Sequence, residues 1–186
     1  MTHLTLIIGG ARSGKSSFAE QAARRHAGQV VYLATAQALD EEMNQRISKH
    51  QRKRPGSWVT VELPTRVGRQ WPALEVNADV VVLDCLTLLV NNVLMAAIED
   101  PDEPDEEQAH QAVSAEVDDL IRVIRESPAD WLVVTNEVGL GLVPANPLGR
   151  LYRDLLGFTN QRFASQADQV FWMVAGIPVP IHQFRS

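Results

Sequence analysis

Residues 4–16 read LTLIIGGARSGKS, a short apolar run from Leu4 to Ile8 that stops at Gly9-Gly10 and passes through a loop into Lys15-Ser16. Beyond it, Phe18, Ala19, Ala22 and Ala23 fall on one side of a helix that the pattern carries from Lys15 to about His26. The order is therefore strand, glycine loop, helix. Within it GGARSGKS, residues 9–16, fits G-x-x-x-x-G-K-[ST] through Gly9, Gly14, Lys15 and Ser16. Glycines let backbone N–H groups close around phosphate oxygens, and the helix N-terminus adds the positive end of its dipole. In that chemistry Lys15 reaches the β- and γ-phosphates and the Ser16 hydroxyl ligates Mg²⁺. The bare pattern is unspecific, and a purely structural glycine turn would also match it. Its position between a buried strand and a helix makes it specific for a nucleoside triphosphate.

The rest of the chain repeats the same alternation. Val30 to Ala34 is an apolar run ending in Thr35, Val80 to Leu83 ends in Asp84, and Trp131 to Val134 ends in Thr-Asn-Glu. Such short β-branched runs suit a parallel sheet covered on both faces, with polar residues collected at the carboxyl ends where open α/β sheets bind ligands. Helical patterns lie between them over 40–54, 86–97, 109–127 and 148–167; in the third, Val113, Val117, Leu120, Ile121 and Ile124 form one apolar face. Residues 58–63 and 170–174 read as further strands. Gly176 and the following IPVPI predict a turn into a final edge strand, where proline is tolerated. The expected fold is α/β, a doubly wound, mostly parallel sheet with an antiparallel edge strand. At 186 residues, without an internal repeat or linker, one domain spanning 1–186 is expected.

Composition narrows the functional classes. With 45% hydrophobic and 22% charged residues the chain has the balance of a globular protein. No apolar run is long enough to span a bilayer, and the N-terminus lacks the basic region and cleavage site of a signal peptide, so a cytoplasmic location is expected. Cys85 is the only cysteine, which excludes an internal disulfide and a thiolate metal cluster and leaves it a small core residue. The net charge of −6 is concentrated in IEDPDEPDEE, residues 98–107; of 23 acids seven sit there, leaving 16 against 17 Lys+Arg. The remainder offers no broad basic face, so no nucleic-acid partner is expected. The acidic stretch reads as a mobile surface loop without a chemical role.

Asp84, at the end of a buried strand, is placed to hold Mg²⁺ through water or to orient a hydroxyl nucleophile; it also fits as the N-cap of the helix at Leu86. Asn136 and Glu137 end another strand, as site residues or as caps and loop anchors. A small-molecule kinase, a nucleotidyl transferase, an ATPase motor and a GTPase switch all use this loop. The chain has no N-K-x-D to read guanine, and it shows neither plain arginine fingers nor a polymer-binding surface. A regulatory or assembly protein stays open.

His50 sits in RISKHQRKRPG, residues 46–56. The acids at 40–42 and the bases closing this helix complement its dipole and need no function. His3, His26, His110 and His182 take the ordinary solvated reading. His50 differs, because Arg46, Lys53 and Arg54 lie three or four positions away and share its face. Like-charge repulsion lowers its pKa and favours the neutral imidazole, while the same cations attract polyphosphate. That combination suits attack on phosphorus.

Together GGARSGKS, YLATAQALDEEMNQRISKHQRKRP, LDCLTLLVNN, TNEVGLGLVP and VAGIPV resemble, through nearly the whole chain, the bifunctional adenosylcobinamide kinase / adenosylcobinamide-phosphate guanylyltransferase family. The resemblance implies a RecA-like P-loop fold, a homotrimer, and an enzyme of cobalamin synthesis. In the implied reaction a triphosphate, GTP or ATP, phosphorylates adenosylcobinamide; GMP then passes from GTP through a guanylylated histidine to the corrinoid phosphate, giving adenosylcobinamide-GDP and pyrophosphate. His50 matches the guanylylated position. The resemblance places Gly9, Gly10, Ala11, Arg12, Ser13, Gly14, Lys15 and Ser16 around phosphates, Ala34, Thr35 and Ala36 along the nucleotide site, and Gln51, Arg52, Lys53, Arg54, Glu62 and Asp84 in contact with GTP. Mg²⁺ would lie at Ser16 and Asp84. Two features depart from the family: Lys49 stands where a second histidine is often found, and the acidic stretch is a local variation that could alter corrinoid access. The alternative is a P-loop kinase of another small alcohol, with no guanylyl transfer.

Overall fold

The computed structural model describes residues 3–37 and 54–184. Its strands are β1 (Leu4–Gly9), β2 (Val30–Ala34), β3 (Val59–Glu62), β4 (Val80–Asp84), β5 (Asp130–Asn136), β6 (Gln169–Val174) and β7 (Ile177–Pro180). The α-helices are α1 (Lys15–Ala23), the short α2 (Val67–Gln70), α3 (Leu86–Ala97), α4 (Glu106–Glu126) and α5 (Pro147–Gln166). The strands form one sheet in the order β3-β2-β4-β5-β1-β6-β7, parallel throughout except for the β6–β7 pair. This is the doubly wound sheet with an antiparallel edge strand that the alternating runs predict.

Successive side chains on a strand point to opposite faces, and here both faces are covered. Ile7, Val30, Tyr32, Val80, Val82, Leu132 and Val134 pack with Ala19 and Ala23 of α1. Leu4, Leu6, Leu33, Val81, Leu83, Trp131 and Val133 pack on the other face with Leu89 of α3, Val117 and Leu120 of α4, and Leu156 and Phe163 of α5. Leu6, Leu33 and Leu83 are wholly buried; truncating any of them to Ala costs about 2–5 kcal/mol.

The register sets up the functional edge. Glu62 pairs with Ala34, Ala34 with Asp84, Asp84 with Val134, and Val134 with Ile7, so the ends of β3, β2 and β4 stand in one row with the strand that feeds the glycine loop.

Three expectations change. The first helix ends at Ala23 rather than near His26. The acidic stretch is not a loop throughout: Asp105 accepts a hydrogen bond from the Gln108 N–H at 2.9 Å, and Glu106 and Glu107 fill the first turn of α4. Carboxylates at a helix start complement its dipole, so these residues begin α4 three positions before Ala109. His182 is half-buried, its Nδ1 3.3 Å from the Val170 N. The helix expected over 40–54 lies outside the described residues except for Arg54.

Candidate active site

At one end of this edge the glycine loop is shaped by what glycine lacks. A Cβ on Gly9 would stand 2.6 Å from the carbonyl oxygen of Met173 on neighbouring β6. Gly14 has φ 96°, and a Cβ there would meet the Gly176 Cα at 3.2 Å. Both positions need the missing side chain. Ser13 N–H donates to the Gly10 carbonyl at 3.3 Å, and Phe18 N–H to that of Gly14 at 2.9 Å, closing the loop and starting α1. Arg12, exposed in the loop, is left-handed with φ 58°.

Lys15 is 7% exposed and its Nζ donates to the Gly10 carbonyl at 2.7 Å. Burial lowers its pKa, while nearby Cys85 and Asp84 pull it back up. A largely desolvated ammonium held on a neutral carbonyl has a strong preference for an anionic oxygen.

The turn between β6 and β7 braces this loop. Ala175 and Gly176 both have positive φ, 50° and 84°, as a two-residue primed hairpin turn requires. Gly176 N–H then donates to the Ser13 carbonyl at 3.0 Å. Gly176 reads from sequence as a turn residue; its contact with residue 13 is visible only in the fold.

Asp84 stands at the end of β4, with β5 between it and β1. Tyr32, almost wholly buried, donates its hydroxyl to Asp84 Oδ2 at 2.5 Å. The Arg54 guanidinium lies 3.3 Å from the centre of the Tyr32 ring, and its Nε and Nη1 are buried with no hydrogen-bond partner among the described residues. Burial pushes the Tyr32 phenol far above its usual pKa, and Asp84 adds to this, so Tyr32 stays a donor. Sequence reasoning missed it inside an apolar run, although strand parity puts Tyr32 and Ala34 on one face. Asp84 does not cap the following helix. The cap position belongs to Cys85, half-buried by exposure but with its thiol pushed up to about 12 mainly by burial.

The residues carried to the end of β2 divide. Ala34 and Ala36 are at the edge, but Thr35 turns inward and is fully buried. Its hydroxyl donates to the Cys85 carbonyl at 2.7 Å and accepts from Cys85 N–H at 2.9 Å. The Thr35 side chain thus holds the Asp84 turn from beneath. Asn92 Nδ2 donates to the Thr35 and Pro64 carbonyls, and Thr87 Oγ1 accepts from Asn136 N–H at 2.8 Å. These contacts, with that of Tyr32, account for Asp84, Thr87 and Asn92 in LDCLTLLVNN. Asn136 and Glu137 act as anchors: Glu137 N–H donates to the Gly9 carbonyl at 3.0 Å, and its carboxylate accepts from Gly139 N–H at 2.6 Å.

Glu62 is exposed in the same row, four strands from β1. At ~4.8 Å per strand that is about 19 Å. His50, Gln51, Arg52 and Lys53 lie outside the described residues.

Among the described residues no three His, Cys, Asp or Glu side chains gather to hold a metal ion. Ser16 and Asp84 supply hard oxygen donors, and Tyr32 takes one of the two oxygens of Asp84. So sparse a set fits Mg²⁺, which keeps several waters and takes its remaining ligands from substrate phosphates.

The family model for "Cobinamide kinase / cobinamide phosphate guanyltransferase" (CobU) matches residues 5–181. The chain is 43% identical over 187 residues to the "Bifunctional adenosylcobalamin biosynthesis protein CobU" of Escherichia coli (strain K12), covering 96% of this chain and 99% of that protein. It is 42% identical to the protein of that name from Salmonella typhimurium, with the same coverage, and 38% identical to the "Bifunctional adenosylcobalamin biosynthesis protein CobP" of Pseudomonas aeruginosa, covering 95% of each. Among solved structures the "Crystal structure of the RadB recombinase" is similar with a TM-score of 0.49 and 14% identity, covering 91% of this chain and 73% of that one.

Proposed function

The chain belongs to the cobinamide kinase / cobinamide phosphate guanyltransferase family, and from that premise we propose how its own residues divide the two reactions. It is a bifunctional transferase of cobalamin biosynthesis that uses nucleoside triphosphates. In the kinase reaction the hydroxyl oxygen of the adenosylcobinamide side arm attacks the γ-phosphorus of GTP or ATP, its proton is lost, and the nucleoside diphosphate leaves. Gly9 to Ser16 hold the phosphates, with Lys15 exchanging the Gly10 carbonyl for a phosphate oxygen as charge moves onto the leaving group. In the transferase reaction a neutral His50 nitrogen attacks the α-phosphorus of GTP and pyrophosphate leaves. The corrinoid phosphate then attacks the same phosphorus, the P–N bond breaks, and His50 is regenerated.

Ser16 and Asp84 would hold Mg²⁺, which when bound neutralises charge on the phosphate oxygens. Arg54, whose Nε and Nη1 have no partner among the described residues, offers an anion site on the ring of Tyr32, the residue that also holds Asp84. Since Glu62 stands about 19 Å from β1 at ~4.8 Å per strand, it contacts the nucleoside end of GTP rather than the phosphates. By resemblance Gln51, Arg52 and Lys53 contact GTP and the chain assembles as a homotrimer; a single domain follows from its 186 residues, and a cytoplasmic location from the composition of its sequence. No helix among the described residues is long and apolar enough to cross a membrane.

One observation carries this reading: the glycine loop with buried Lys15 stands on the same strand edge as Asp84, with its Tyr32 and Arg54 neighbours. The test is incubation with α-labelled GTP and Mg²⁺. Acid-labile label on the protein, absent in His50→Ala while adenosylcobinamide is still phosphorylated, is expected. Phosphorylation without any label in the unaltered protein leaves only a kinase.

A further inference from the structure

Tyr32 stands between opposite charges and meets each with a different part of itself. Its hydroxyl reaches Asp84 at 2.5 Å, while its ring face carries the Arg54 guanidinium at 3.3 Å. A carboxylate and a guanidinium that share one neighbouring side chain can ordinarily close into a bidentate pair and neutralise each other. An aromatic ring prevents that, because its face attracts the cation while its edge hydroxyl donates to the anion. Arg54 keeps two buried nitrogens, Nε and Nη1, without a partner among the described residues, a costly arrangement unless an anionic oxygen arrives. The ring itself is pinned in the α1-face core among Val30, Val80 and Val82.

We propose that Tyr32 is a positioning residue for both partial reactions, holding the Asp84 carboxylate in one orientation toward a metal-bound polyphosphate and holding Arg54 apart from it as a phosphate-binding cation. The inference rests on the nucleotide-site reading above, and binding measurements separate the two.

Tyr32→Phe removes the hydroxyl and keeps the ring. Its GTP affinity in EDTA is expected to match the unaltered protein, while the Mg²⁺ concentration giving half-maximal tightening of GTP binding rises on the order of tenfold, the scale of one hydrogen bond to a charged group. Tyr32→Leu removes the ring as well, and GTP affinity in EDTA is expected to fall about fivefold below that of Tyr32→Phe, as for a lost cation–π contact. Arg54→Lys keeps the charge but loses the flat stacking; it should show the same fall without disturbing the core, which keeps the test decisive if Tyr32→Leu does not fold. An unchanged Mg²⁺ requirement in Tyr32→Phe overturns the Asp84 half of the proposal. Unchanged EDTA affinity in Arg54→Lys overturns the Arg54 half. If the unaltered protein binds GTP but takes no covalent label, the transferase reading fails while these titrations still decide the role of Tyr32.

Discussion

At the β1 end of the carboxyl edge, Gly9 and Gly14 leave room for backbone to approach backbone, and the loop is tied by main-chain bonds from Ser13, Phe18, Glu137 and Gly176. At the β4 end, Asp84 and its turn are held by side chains, the hydroxyls of Tyr32 and Thr35, with the Asn92 amide fixing the Thr35 backbone beside it. The two constructions fail differently. A backbone cradle tolerates almost any side chain pointing outward and no added Cβ inward. A side-chain scaffold tolerates backbone adjustment but not the loss of one hydroxyl.

The largest break in this comparison is expected at Lys15, where the backbone cradle relies on a single side chain. Lys15→Ala should reduce both partial reactions by roughly 10²–10³-fold, the scale for removing one preorganised charge-stabilising donor; steady-state rates with either acceptor measure it. Gly9→Ala comes next. Its Cβ meets a backbone oxygen on β6, which cannot rotate away. A loss of about 1–3 kcal/mol is expected, read as a lower urea midpoint, with nucleotide binding failing before the fold does. At the other end, Thr35→Val keeps the volume but leaves the Cys85 N–H without an acceptor. That costs about 1–3 kcal/mol and leaves the GTP affinity in EDTA nearly intact, since the phosphate cradle is untouched; a matching loss of EDTA affinity would show that the two ends do not act separately.

The smallest effect sharpens the comparison from outside both ends. Glu116 on α4 is a buried carboxylate accepting from the Arg66 and Val67 N–H groups at 2.7 Å, and burial raises its pKa despite those bonds. For an acid raised in the folded state, the folded protein binds the proton more tightly than the unfolded chain. The resulting stability is fully present below the ordinary value of 4.5 and lost as pH rises through the raised one. The urea midpoint of the unaltered protein relative to Glu116→Gln should therefore fall as pH rises through that window. A difference that stays flat with pH means that Glu116 does not titrate on folding.

The same contrast explains what the sequence made legible. Glycine spacing reports a backbone cradle directly, because Gly9 and Gly14 occupy positions that other residues cannot. The strands could be found because buried parallel strands are continuous apolar runs, and Asp84 because it ends one. The side-chain scaffold was hidden for two reasons. In the sequence Thr35 is the first polar residue past a strand, yet it continues the parity of Val31 and Leu33 and is as fully buried as they are. The bond from Tyr32 to Asp84 depends on the register that pairs Ala34 with Asp84, and residues 52 positions apart carry no local sign of it. In the acidic stretch, composition suggested a loop, while the position of its last three carboxylates just before a helical face decided the outcome.

The bond from Gly176 to Ser13 joins residues 163 positions apart. Synthesis runs from the N-terminus, so the ribosome completes the whole phosphate-binding motif long before the residue that steadies it exists. A nascent chain ending at Gln166 would carry every letter of the motif and β5, but neither β6 nor the turn that fixes the loop. A prematurely terminated product of that length keeps the signature without the bond that braces its loop.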